Sequence, residues 1–346
     1  MSLISNLVLP PLSLVYRAVT KTRLAAYKKG LLSITRLDAP LISVGNLTTG
    51  GTGKTPLVEQ VCRILARSQR RVCVLTRGYG RVNPGARVLV SDGSTVLATA
   101  AEAGDEPFLL AQNLKGLAAV VSDADRATAG QWVKENLGAD VFVLDDGFQH
   151  LRLARDLDLL VIDATNPWGG GRLLPYGRLR EPRSEVSRAD CIIVTRADQS
   201  GNLLSLKEEI CRFNNSSPIL TSTMTVRSIT RLASTVEEEI DSVPQPVAAF
   251  CAIGNPKSFF DQLRLLELNP IFTREFPDHH RYTPANIESL NQKSKAAGVR
   301  SLITTAKDAV KLQADSLDVP CYVLNIEISI EDDRRFTEMI EDALRT

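Results

Sequence analysis

The sequence predicts a doubly wound, mostly parallel α/β sheet, followed by a second, smaller α/β domain and preceded by an amphipathic helix. Three observations lead there. Short, wholly apolar, β-branched runs alternate with longer helical patterns through the first 215 residues. Runs of that kind read as buried parallel strands, because crossover helices cover both faces of the sheet. After about Asn214 the character shifts to a long polar-edged strand and a proline-marked linker, and then to fewer α/β repeats. With 346 residues, 44% hydrophobic and 23% charged, the chain can bury a large core, and its length favours two domains.

The amino-terminal region, residues 1–38, is lopsided in charge. Arg17, Lys21, Arg23, Lys28, Lys29 and Arg36 all precede the first acidic residue, Asp38. On a helical wheel after Pro11, Leu12, Val15, Tyr16, Val19 and Ala26 fall on one side and Arg17, Lys21 and Lys28 opposite, with Arg23 and Leu24 out of place. No apolar run approaches the roughly 18 residues that a spanning helix needs, and Pro10-Pro11 interrupts the best candidate. Positive charges that follow the apolar stretch, instead of preceding it, also argue against a secretory signal. Two readings stay open: a basic helix packed on the domain, or an interfacial helix lying on anionic lipid.

Residues 39–215 hold the strands LISVGN (41–46), RVCVLTR (71–77), LAAVVSD (117–123), DVFVLDD (140–146), LDLLVID (157–163) and DCIIVTR (190–196). Residues 216–346 begin with a ribbon strand, PILTSTMTVRS, and the polar linker STVEEEIDSVPQP. Strand PVAAFCAI, a helix from Pro256, strand NPIFTREF, a helix from Pro284, strand RSLITTA, strand CYVLNIEI and a final helix complete the smaller domain.

The first strand runs into GNLTTGGTGKTPL. A phosphate-binding loop needs backbone N–H groups pointing inward around a polyphosphate, a lysine for the terminal phosphates and a hydroxyl for magnesium. Gly50, Gly51 and Gly53 let the backbone curl, Lys54 and Thr55 supply the charge and hydroxyl, and a helix follows. The usual first glycine is displaced: Thr48 stands in its place, which is the deviant GGxGK[ST] form of the P-loop, with Thr49 where a lysine often precedes the glycine pair. Thr48, Thr49, Gly50, Gly51, Thr52, Gly53, Lys54 and Thr55 are therefore the expected nucleotide-binding run. The fold class sharpens to a P-loop NTPase-like sheet. Asp145 and Asp146 end the apolar strand VFVLDD, where a magnesium-binding carboxylate belongs, and with Thr55 they form the expected metal set. Thr195-Arg196-Ala197-Asp198 lies where GTPases read the base, but arginine replaces the lysine and the segment reads as structural.

Phosphate loops serve switches, pumps, ligases and kinases alike, so the acceptor side must discriminate. TRGYGR sets Arg77 and Arg81 around two glycines after the second strand, a suitable clamp for an anion. DADRATAG places Asp125 and Arg126 on the same carboxyl edge of the sheet, and AGDEPFLLAQ starts a helix with Asp105 and Glu106, where acidic residues also serve as simple helix caps.

TTGGTGKTP, TRGYGR, GDEP, DDGFQH, GGGRLLPYGRLREP and FPDHH, in this order, closely resemble the tetraacyldisaccharide 4'-kinase (lipid A 4'-kinase) family from the amino-terminal helix into the second domain. The resemblance implies ATP as phosphoryl donor, Mg2+ as cofactor, and the 4'-hydroxyl of tetraacyldisaccharide 1-phosphate as acceptor. It implies lipid IVA as product and peripheral attachment at the cytoplasmic face of the inner membrane. Carried over by motif, Asp105 is the base, His279 its partner, and Lys54 the catalytic lysine. Arg77, Arg126, Arg180 and Glu181 match the substrate side, where Tyr79, Arg81 and Gln149 are expected with them. Asp145 and Asp146 match the metal carboxylates. A P-loop ATPase or GTPase switch acting on a protein partner, or a kinase or ligase for a soluble small molecule, stands as the alternative.

A net charge of +1 gives no global attraction to nucleic acid, and no obligate protein partner is inferred. The partners expected are the glycolipid and an anionic membrane surface. The six cysteines form no Cys-x-x-Cys pair and mostly sit in apolar runs, which suits reduced, buried thiols.

Overall fold

The computed structural model describes residues 3–345; Met1, Ser2 and Thr346, which end the expected 1–38 and 216–346 spans, lie outside the described residues. After helix α1 (Leu3–Lys28) come β1 (Leu41–Asn46), α2 (Lys54–Arg67), β2 (Val72–Thr76), β3 (Val88–Ser91), α3 (Ala100–Ala103), α4 (Asp105–Asn113), β4 (Ala118–Ser122), α5 (Arg126–Asn136), β5 (Val141–Asp145), β6 (Leu157–Asp163), β7 (Cys191–Thr195) and α6 (Leu203–Cys211). The chain continues with β8 (Ile219–Arg231), β9 (Glu237–Glu238), β10 (Val247–Cys251), α7 (Pro256–Leu265), β11 (Thr273–Glu275), α8 (Pro284–Ala296), β12 (Ser301–Thr305), α9 (Ala306–Ala309), β13 (Cys321–Ile330) and α10 (Asp333–Asp342).

One mostly parallel sheet runs through the molecule in the order β11-β10-β12-β13-β8-β7-β6-β1-β5-β2-β4-β3, with β9 paired to β8. β1 lies between β5 and β6, both parallel to it, so successive crossovers leave it in opposite directions. Its carboxyl end is therefore the topological switch point, where an open α/β sheet leaves a crevice for ligands. The register Val44↔Asp145 sets the end of β5 beside the start of the glycine loop. The strands are Val/Ile/Leu-rich and buried along their whole length, as a sheet covered on both faces requires.

β8 belongs to both halves of the sheet. Ile219–Thr221 pair parallel with β7, and from Ser222 to Arg231 the strand pairs antiparallel with β13. This two-stranded ribbon carries the smaller α/β unit, whose parallel strands β13, β12, β10 and β11 have their own apolar layers around Phe259, Leu263 and Phe250, Leu302. The terminal helix α10 does not stay with those strands: Phe336 and Ile340 are packed in the core beneath the phosphate loop, among Val61, Ile64 and Leu65 of α2.

Three elements differ from the sequence expectation. β3, an antiparallel edge strand with an irregular register against β4, was not legible, because VLVS is short and its first half is only partly buried. NPIFTREF yields only the three-residue β11. Helix α1 runs through Pro10 and Pro11, which sit inside it; a proline crowds the carbonyl four residues back and bends a helix without having to end it.

Helix α1 packs on the domain along one face and leaves apolar side chains exposed along another. Ser13 Oγ donates to the Leu173 carbonyl at 3.0 Å, Tyr16 Oη to the Arg180 carbonyl at 3.0 Å, and Arg23 to the Gln149 carbonyl at 2.9 Å, while Leu24 is buried. Tyr16 thus leaves the apolar stripe it was grouped with. Val8, Leu12, Val15 and Val19 face solvent, the last 62% exposed, with Leu31, Leu32 and Ile34 exposed just beyond the helix. Among the described residues, no helix is long and apolar enough to cross a membrane.

Candidate active site

The glycine loop closes between β1 and α2. Gly53, with φ +87°, caps α2 without a side-chain bond, so the first amides of the helix stay free to meet an anion. The loop is held from behind by a buried frame. Asn46 Nδ2 donates to the Thr48 carbonyl at 2.7 Å and to Thr52 Oγ1 at 3.0 Å, and its Oδ1 accepts from Lys54 Nζ at 3.1 Å. Thr195 Oγ1 donates to the Thr52 carbonyl at 2.8 Å. Arg196, in the left-handed region at φ 53°, turns its guanidinium onto the Gly51 carbonyl (3.1 Å), Asp163 (2.5 Å) and Ser258 Oγ (3.1 Å). Its segment is structural, as the sequence suggested, and it ties the loop to α7.

Asp145 and Asp146 are neighbours with opposite electrostatics. Asp145 is buried, with only Thr76 Oγ1 donating to it, at 2.9 Å. Burial, with the nearby charges of Glu106 and Asp146, pushes its carboxyl up to about 7. Asp146 is half-buried at the cleft; desolvation opposes its charge, but Lys54 Nζ at 3.4 Å and Arg180 at 2.6 Å outweigh that and hold it well below the usual carboxylate range. Its left-handed backbone, φ 51°, turns it toward these cations.

A cleft of about 1540 Å³ opens in front of the loop, larger than the ~300–1,000 Å³ of an ordinary small-molecule site and roomy enough for two substrates. Thr49, Gly50, Gly51, Thr52, Gly53, Lys54 and Thr55 line it, as do Arg77, Tyr79, Arg126, Asp146, Gln149 and Arg180. Arg126 is mostly buried and its Nε has no hydrogen-bond partner; burial, followed by the charge of Arg77, lowers its guanidinium to about 10. Such an arginine awaits an anion. Gln149 is fixed by its Nε2 on the Asn46 carbonyl at 2.9 Å.

Five expected residues are not among those that line the cleft: Asp145, buried at the end of β5, Asp105, at the start of α4, and Arg81, Glu181 and Thr48. Arg81 is buried with its guanidinium on the carbonyls of Ser122 (2.9 Å) and Pro84 (2.5 Å), so it braces the TRGYGR turn and does not line the cleft. Glu181 is buried behind the lining on Arg188, at 2.6 Å, and reaches the site only through Gln149 at 3.3 Å. Thr48 faces the back of the loop, bridged to Leu179. Of the two arginines in TRGYGR, Arg77 lines the cleft and Arg81 does not.

Across the cleft stands the smaller unit. His279 Nδ1 lies 3.8 Å from Asp105 Oδ2, although 174 positions separate them in sequence by subtraction (279 − 105). His279 takes a left-handed conformation, φ 60°, in the turn between β11 and α8. Two contacts missed in the sequence complete this face. Lys307, at the start of α9, donates to Glu106 at 2.9 Å and Asp278 at 3.2 Å, and Arg281 donates to the Gly80 carbonyl at 2.6 Å. Burial opposes the charge on Glu106, but Lys307 and Lys54 outweigh it and lower its pKa. Gly254 presses on Gly50 and Gly51 so closely that a Cβ there would overlap the Gly51 nitrogen. His280 stacks on Phe276 and pairs with Asn286, away from Asp105. His150 lines the cleft with a buried, unpartnered Nε2; burial and then Arg126 lower it to about 3.

Hydrolysing a nucleotide requires only the loop side of this cleft. An acid on the loop's own unit, Asp105 at the start of α4, met by a histidine from the smaller unit suits transfer of the terminal phosphoryl group to an alcohol. Fold and site together define a P-loop kinase. Residues 5–345 match the LpxK family, described as tetraacyldisaccharide-1-P 4'-kinase, and the chain belongs to that family. It is 42% identical over 325 residues to the tetraacyldisaccharide 4'-kinase of Geobacter sulfurreducens, spanning 91% of this chain and 86% of the relative. It is 39% identical over 347 residues to that of Pelobacter propionicus, spanning 99% and 93%. Its fold is similar to a crystal structure of LpxK from Aquifex aeolicus in complex with ATP, with a TM-score of 0.77, 32% identity and coverage of 96% and 98%.

Proposed function

We propose that this chain transfers the γ-phosphate of ATP to the 4'-hydroxyl of tetraacyldisaccharide 1-phosphate, giving ADP and lipid IVA. The observation that carries the reading is the meeting of Asp105 and His279 between the two units, with His279 and Lys54 lining one cleft, in a chain that matches the kinase family over residues 5–345. Phosphoryl transfer depends mainly on alignment and charge neutralisation, with late removal of the alcohol proton. Asp105 accepts that proton as O4' bonds to the γ-phosphorus. The bond from phosphorus to the β–γ bridging oxygen breaks, and its electron pair leaves with ADP. Lys54 steadies the phosphate oxygens, while Arg77, Arg126 and Arg180 hold the anionic sugar head. Residues 39–215 and 216–346 act as the two jaws.

Mg2+ fits the residues present. Asp145 is an oxygen donor with one hydroxyl partner, and burial, followed by the negative charge of Glu106 and Asp146, raises it. Asp146 is already paired with Lys54 and Arg180. Asp145 and Thr55 would therefore hold the ion, with Asp146 on the cleft side. When bound, the ion neutralises charge on the phosphates.

The exposed apolar stripe of α1, beside Lys21 and Lys28, supports peripheral attachment to an anionic membrane face; we place it at the cytoplasmic side of the inner membrane. The decisive test incubates the protein with γ-labelled ATP, Mg2+ and tetraacyldisaccharide 1-phosphate in mixed micelles. Label should enter the glycolipid, with little free phosphate when the acceptor is omitted. Rapid acceptor-independent hydrolysis without labelled lipid would favour a nucleotide-driven switch instead.

A further inference from the structure

Two adjacent histidines meet different partners. His280 Nε2 lies 2.7 Å from Asn286 Oδ1, an oxygen that already accepts from the Thr283 amide at 3.1 Å. An acceptor on that side makes His280 carry its proton on Nε2. His279 is the reverse case. Its Nε2 lies 3.3 Å from Lys307 Nζ, and an ammonium can only donate. Lys307 is kept cationic: burial works against its charge, but Glu106 and Asp278 outweigh burial and raise its pKa above the ordinary lysine value. Nε2 of neutral His279 is therefore the acceptor, and the ring proton sits on Nδ1, the nitrogen that faces Asp105 Oδ2 at 3.8 Å.

We propose that Lys307 is a positioning residue that fixes His279 as the Nδ1–H tautomer when the two units close, so that His279 donates toward Asp105 and does not take its proton. This rests on the kinase reading above. It deepens it by dividing the labour: the proton from the 4'-hydroxyl stays on Asp105 until the cleft opens, and His279 orients the carboxylate. Closure and tautomer are linked, because the ammonium that sets the ring is also bound to Glu106, across the cleft, at 2.9 Å. Without that ammonium, His279 Nε2 has Asp278 Oδ1 3.9 Å away as its next partner, a carboxylate that favours the opposite tautomer.

The chain has three histidines, so ¹⁵N-labelled side-chain spectra of the full protein near pH 8, above the ordinary imidazole range, can resolve each ring. We expect His279 as Nδ1–H and His280 as Nε2–H. Lys307→Met should turn His279 to Nε2–H and leave His280 unchanged, and Lys307→Arg, which keeps a donor, should preserve the wild-type pattern. In parallel, Lys307→Met should lower kcat about ten-fold with KM for ATP within about two-fold, with substantial rescue in Lys307→Arg. Nε2–H on His279 of the wild type, or no change in Lys307→Met with His280 intact, overturns the proposal. Loss of the His280 signal pattern in Lys307→Met would transfer the test to Lys307→Arg, where a switched His279 overturns it. A wild type that labels no glycolipid refutes the kinase reading while leaving the tautomer measurement interpretable.

Discussion

The two walls of the cleft are held by different means. The loop wall is fixed from within: Asn46, Thr52 and Thr195 are buried, and their hydrogen bonds tie the loop to the ends of β1 and β7 in one sheet. The facing wall is held across a gap by Lys307 on Glu106, Arg281 on the Gly80 carbonyl and His279 near Asp105, all contacts between residues far apart in sequence. A nucleotide cradle gains from rigidity, because its donors must await charge without reorganising. An acceptor site must admit a lipid head and then shut, so partly exposed ion pairs, worth little each, suit it better.

The sharpest way to break this comparison is to remove one group from the cradle and one from the seam where the two walls meet. Lys54→Ala should cost about 10³-fold in kcat, since it strips the cation at the transferring phosphate, and it should leave thermal stability nearly unchanged. Asp105→Ala should cost about 10²–10⁴-fold in kcat through loss of the proton acceptor, with KM for ATP little altered. Steady-state kinetics on both variants decide the matter: an Asp105→Ala enzyme with wild-type kcat would remove the base from the cleft altogether.

A subtler variant separates the walls without touching chemistry. Gly254→Ala places a Cβ against the Gly51 nitrogen and the Gly50 backbone, and neither can retreat while Asn46 and Arg196 hold the loop. The smaller unit must give way. We expect about a ten-fold loss of kcat, wild-type nucleotide affinity within about three-fold, and easier proteolysis along the β8–β13 ribbon. A Gly254→Ala enzyme with unchanged turnover would mean that the jaws need not meet this tightly.

This asymmetry also explains what the sequence disclosed. The loop wall was legible because its parts are local: Gly50 to Thr55 form one turn, and Asp145-Asp146 end one strand beside it. The facing wall was legible only where resemblance pointed, at His279. Lys307 sits in TTAKDA, which carries no pattern of its own, and Gly254 in AIGNP reads only as the approach to a helix at Pro256. Both acquire meaning from contacts that the ribbon creates. Arg81 was misassigned for the opposite reason: spacing shows two arginines flanking a glycine turn, but not that one points inward to brace it. Likewise, the pattern of α10 shows an amphipathic helix without showing that its apolar face lies on α2.

The loop wall should also announce itself in pH. Asp145 has a folded pKa raised to about 7 against an unfolded value near 3.8. A raised folded pKa contributes stability that is fully present below about 3.8 and is lost as pH rises through about 7. Without nucleotide or metal, wild-type Tm should therefore fall across that window relative to Asp145→Asn, which should be more stable by about 2–6 °C at pH 8. Thermal scans of both proteins from pH 4 to 8 measure this directly. Mg2+ should narrow the difference at pH 8, because it compensates the ionised carboxylate in the wild type alone.

The smallest effect on the chemical step belongs to α1, which touches the loop wall but contributes no reacting group. Replacing Leu12, Val15 and Val19 with serine removes the solvent-facing stripe and leaves Ser13, Tyr16 and Leu24 to hold the helix on the domain. Transfer of an apolar side chain into lipid contributes about 0.8 kcal/mol per buried CH₂, so vesicle binding should fall by at least about ten-fold. Turnover on acceptor presented in detergent should stay within about two-fold, because neither wall of the cleft has changed. The two readouts must diverge. If flotation with anionic vesicles is undiminished in the triple variant, the stripe is not the membrane contact, and if turnover in detergent collapses as well, α1 is a structural part of the loop wall through Tyr16 and Arg180 and not a separate anchor.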